Sequence, residues 1–188
     1  MITNSEIREA IDTISAKVVL ILGRFTERRK KVLDTIKDEL RRRNYLPVLF
    51  DFEKPINRDI TETVSTLAHI SRFIVADITE AKSIPQELQA IVPHLLSVPI
   101  VPLLQIEENE YAMYEHYPRY PQVVEIYYYY DSNDILQSIQ EQVIDRAEQK
   151  AKEVAPKPVV LQKSERNARN VTSHFPVQLR QPSQTGWR

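Results

Sequence analysis

An open, doubly wound α/β sheet of five parallel strands flanked by helices is the fold class this sequence predicts. Three observations predict it. Short runs rich in Val, Ile and Leu recur along the 188 residues, as in strands covered on both faces. Between them lie segments with apolar residues at three- and four-residue spacing, so that strand and helix alternate five times. The connections are long enough for parallel crossovers, and the flavodoxin-like order 2-1-3-4-5 is the natural winding.

Each element follows from its own residues. Asn4 to Ser15 carries Ile7, Ile11 and Ile14 at helical spacing. Lys17 to Leu22 is a β-branched apolar run that stops at Gly23. Thr26 is placed to cap a helix from Glu27 to Arg43, with Val32, Leu33, Ile36 and Leu40 as its inward stripe. The next strand, Tyr45 to Phe52, contains Pro47, which cannot donate to a ladder and so predicts a sheet edge. A polar loop, 53–58, leads to a helix from about Asp59 to Ile70 that buries Ile60, Val64 and Leu67. The central strand, Phe73 to Ala76, ends on Asp77 and Thr79, and a helix starting near Ser83 then turns Leu88 and Ile91 inward and ends near Pro93. Pro99 to Leu104 reads as the fourth strand, 107–121 as a short helix with an irregular exit, and Val123 to Tyr130 as the last strand. Asp131 or Ser132 caps a final helix running to about Val154.

Composition excludes several classes of chemistry. With no cysteine, disulfides, thiolate zinc sites and cysteine nucleophiles are ruled out. With only Gly23 and Gly186, neither a dinucleotide fingerprint nor a P-loop can be written. The four histidines show no ligand spacing, so no metal is expected. No apolar run approaches the roughly 18 residues of a membrane span, and the polar amino terminus is unlike a signal peptide, so a soluble, cytoplasmic protein is expected. From Lys157 onward six basic residues against Glu165 give +5, leaving −6 for the rest of a chain whose total is −1. An acidic body of this kind argues against nucleic-acid binding. Residues 1–155 are expected to form the α/β domain. Residues 156–188, poor in periodicity and rich in polar residues, form a basic tail, disordered or serving as an assembly arm.

The order 2-1-3-4-5 sets the ends of strands one and three side by side, where ligand crevices form in open sheets. Gly23, Arg24, Phe25, Asp77 and Thr79 converge there, and Glu87 follows in the first turn of a helix. Cleavage of a ribosyl–base bond passes through an oxocarbenium-like cation that a nearby carboxylate can stabilise or trap, which makes Glu87 the candidate catalytic residue. Arg24 suits a phosphate, Phe25 a stacked ring, and Asp77 and Thr79 ribose hydroxyls or the orientation of the Glu87 loop. Plainer roles stand beside these. Ser83 and Gln86 have capping-box spacing, an acid in a first turn is favoured by the helix dipole, and Asp77 at a strand end suits a turn. Tyr127 to Tyr130 packs an edge strand or offers an assembly surface.

Taken together, Lys17 to about Gln149 resembles the TIR-like domains of bacteria, with a wider similarity to nucleoside deoxyribosyltransferase-like flavodoxin folds. The resemblance rests on Gly23-Arg24-Phe25 after the first strand and on Asp51-Phe52 before a polar loop like the BB loop. It rests also on Ala76-Asp77-Ile78-Thr79, and on Glu87-Leu88 where enzymatic TIR domains place their glutamate. The Trp-Cys pair common before that glutamate is replaced by Ser83-Ile84-Pro85-Gln86, and the usual BB-loop glycine is absent. The resemblance implies an NAD⁺ glycohydrolase of prokaryotic antiviral immune signalling, activated by self-assembly as a homo-oligomer or filament. Glu87 would be catalytic, and Gly23, Arg24, Phe25, Asp51, Phe52, Asp77, Thr79 and Ser83 would line the site, with NAD⁺ as substrate and no cofactor. The alternatives are a non-catalytic scaffold or nucleotide-signal sensor that binds a partner protein, and a deoxyribosyltransferase-like enzyme.

Overall fold

The computed structural model describes residues 3–51, 58–79, 88, 91–106 and 119–155, with the backbone alone described for 51 and 58–61. Five strands, β1 (Val18–Gly23), β2 (Leu46–Asp51), β3 (Phe73–Asp77), β4 (Ile100–Gln105) and β5 (Tyr127–Tyr129), form one sheet in the order β2-β1-β3-β4-β5. Every pairing is parallel. The class and winding read from the sequence are therefore those of the folded chain.

Alternate residues of each strand feed two apolar layers, as period-two geometry requires. Leu20, Leu22, Ile74, Ala76, Ile100 and Leu104 pack under Val64 and Ala68 of α3 (Arg58–His69), with Leu88, Ile91, Val92 and Leu95 completing that layer. Leu88 and Ile91 thus face inward as expected. Val19, Ile21, Phe73, Val75, Val101, Leu103, Tyr127 and Tyr129 pack on the other face. They meet Val32, Leu33, Ile36 and Leu40 of α2 (Glu27–Arg42), together with Ile135, Ile139, Val143, Ile144 and Ala147. These last five lie on α4 (Ser132–Ile139), which continues through a π-helical turn, Gln140–Asp145, into α5 (Arg146–Val154). Burial of the adjacent pair Val143 and Ile144 marks where that wider turn shifts the helix's inward face by one residue.

Local chemistry sets the boundaries. Thr26 caps α2 by accepting from the Arg29 N–H, and Asp131, of the two candidates, caps α4 by accepting from Asn133 and Asp134 N–H at 2.8 and 3.0 Å. At the far end of α2, Tyr45 N–H reaches Leu40 C=O and Asn44 N–H reaches Arg41 C=O. Asn44 lies in the left-handed region at φ 65°. That is a Schellman stop built on asparagine, one of the few non-glycine residues that tolerates the conformation. Pro47 sits on an edge strand, and since Leu46 N–H donates to Lys17, the missing proline donor faces away from β1.

One strand differs from expectation. In place of an unbroken strand from Val123 to Tyr130, a lone bridge joins Val123 to Ile100 and the ladder resumes only at Leu103 and Tyr127. Pro102 explains the gap. Ile100 N–H and Ile106 N–H both donate toward this edge, so by alternation the missing N–H of Pro102 faces residues 124–126, which leave the ladder. Four residues of the edge segment then span three of β4, as in a bulge. The helix expected within 107–121 falls largely outside the described residues.

Side-chain ties brace the amino ends of the strands. Glu148 accepts from Arg72 Nε at 3.0 Å and from the Tyr45 hydroxyl at 3.1 Å. The Arg72 hydrogen bond holds the Glu148 carboxyl below its ordinary value, whereas burial, and then the Glu148 charge, push the Tyr45 phenol up to about 12. Because the folded-state phenol lies above its ordinary 10.0, its contribution is whole below about pH 10 and is lost as pH rises toward about 12. Stability measured by urea unfolding is therefore expected to fall across that alkaline window, and Tyr45→Phe to shallow the fall. An unchanged slope in the variant would refute the assignment.

Candidate functional site at the carboxyl ends of β1 and β3

Leu22 pairs with Ala76, and Gly23 with Asp51, so the carboxyl ends of β2, β1 and β3 stand in a row where the winding reverses. Gly23 is buried there against α2. A Cβ added to it would lie 2.9 Å from Leu33 Cδ2, closer than side chains tolerate, and 3.6 Å from Asp77 Cβ. Absence of a side chain is what lets Leu33 of α2 close over the end of β1, while Asp77 of β3 lies at ordinary contact distance. Arg24 and Phe25 follow, half-buried, with Phe25 against the α2 layer. Asp51 ends β2. Phe52, Ser83 and Glu87 lie outside the described residues; Leu88, next to Glu87 in sequence, is buried in the core.

Asp77 and Thr79 are each 1% exposed, and their partners are residues that sequence reading did not place at the site. Arg29 of α2, itself 1% exposed, donates from Nε and Nη2 to Asp77 Oδ2 at 3.1 and 2.5 Å. Its Nη1 donates to Gln105 Oε1 at 2.6 Å, and Nη2 also donates to the Tyr129 hydroxyl. The Tyr129 phenol in turn donates to Asp77 Oδ1 at 3.4 Å, an oxygen that also accepts from Thr79 N–H at 3.2 Å. Thr79 Oγ1 accepts from Gln105 N–H at 3.0 Å, which leaves its own proton for the Tyr129 oxygen at 3.4 Å. Five residues, from α2, β3 and the turn after it, β4 and β5, thus satisfy one another.

The protonation states follow from position. Burial raises the Tyr129 phenol first, and the Asp77 charge raises it further, so it remains a neutral donor. Burial alone would lower the Arg29 guanidinium, but the Asp77 charge, Tyr129 and the hydrogen bonds to both together outweigh it and the group stays cationic. One positive and one negative charge are therefore buried together with each guanidinium nitrogen hydrogen-bonded, the condition under which such a pair is tolerable. The guanidinium also lies 5.7 Å from the Tyr129 ring centroid, within cation–π range.

Gly23, Asp77 and Thr79 are thus brought together. The side-chain oxygens of Asp77 and Thr79 that suit ribose hydroxyls are engaged inside the network, which fixes the backbone where the chain leaves β3. A signal for Arg29 was present, since 29, 33, 36 and 40 share one helical face and a cation on an apolar stripe demands a buried anion. Among the described residues no cluster of three or more His, Asp or Glu side chains could hold a metal ion, and no helix is long and apolar enough to cross a membrane. No family model and no curated protein matches the chain.

Proposed function

We propose that the chain cleaves the bond between nicotinamide and ribose in NAD⁺, with Glu87 as the carboxylate facing the cationic ribosyl centre. The observation that carries the reading is the position from which the Glu87 segment departs. In the 2-1-3-4-5 sheet that segment follows Thr79, beside Gly23, at the reversal of winding where open α/β sheets bind ligands. The Arg29 network supports it by holding Asp77 and Thr79 rigid, as a positioned site requires. In the reaction the C1′–N bond breaks and its electron pair leaves with nicotinamide. Glu87 stabilises or traps the C1′ cation, and water or an internal nucleophile completes ADP-ribose or a cyclic form. The TIR-like resemblance would place this activity in prokaryotic antiviral signalling.

Incubation of the full chain at high concentration with NAD⁺, beside a panel of deoxynucleosides, tests the proposal. Nicotinamide release is the expected result. Base exchange between deoxynucleosides without it would favour a deoxyribosyltransferase. A second reading, a non-catalytic scaffold or nucleotide-signal sensor, is favoured by the internal engagement of the Asp77 and Thr79 side chains. It predicts nucleotide or partner binding with NAD⁺ left intact.

A further inference from the structure

We draw no further inference here: the strongest candidate, the exposed stripe of Ile7, Ile11 and Ile14 along the helix α1 (Asn4–Ser15) ahead of β1, carries nothing because nothing in the structure shows what covers it.

Discussion

Asp77→Ala is expected to destabilise the fold by about 3–5 kcal/mol, the usual cost of leaving one member of a buried ion pair without the other. Arg29 and Asp77 are both 1% exposed, so neither solvent nor salt can replace the lost partner. Three donors lose their acceptor at once: the Arg29 guanidinium, the Tyr129 phenol and Thr79 N–H. Against a typical total of about 5–15 kcal/mol, the loss is a large fraction of the whole. Asp77→Asn keeps the shape but removes the charge and is expected to lie between. In the double variant Arg29→Met with Asp77→Leu, the buried charges disappear together. It should therefore be more stable than Asp77→Ala but should not exceed the parent, because Tyr129, Thr79 and Gln105 still lose partners. Urea unfolding of the four proteins checks this order. A loss below about 1 kcal/mol, as for a surface ion pair, would mean that the pair is hydrated.

Glu87→Gln is expected to reduce nicotinamide release by about 10²–10³-fold, the range for removing one preorganised electrostatic stabiliser. Glutamine preserves volume and hydrogen bonding while deleting the charge opposite the developing cation. The loss should appear in kcat more than in KM, since the cation exists in the transition state and not in bound NAD⁺. Urea unfolding of the variant should match the parent, which separates a chemical defect from a folding one. Equal rates in parent and variant would remove Glu87 from the mechanism.

Much of this fold was legible in the sequence because its determinants are local. Burial on both faces requires continuous apolar runs, and Val18 to Leu22 and Phe73 to Ala76 are such runs. Proline's missing donor placed Pro47 on an edge. The same residue type misled by omission at Pro102. Its effect falls not on its own strand but on residues 124–126 across the ladder, and no local pattern in Val123 to Tyr130 records that register. The convergence of Gly23, Asp77 and Thr79 was legible from the strand ends. Gln105 and Tyr129 were not, because they reach Arg29 from sequence separations of 76 and 100 residues.

The gap opposite Pro102 also decides how the sheet comes apart. With a ladder of only three paired residues, β5 has little backbone attachment of its own. Its side chains add to this: Tyr127 and Tyr129 are buried in the core, and the Tyr129 phenol passes β4 to meet Asp77 on β3. Peeling of that strand is thus the same event as admitting water to the buried charges. The molecule's most weakly zipped edge is latched by its most expensive interaction, so the margin of the sheet and its centre should open as one cooperative unit.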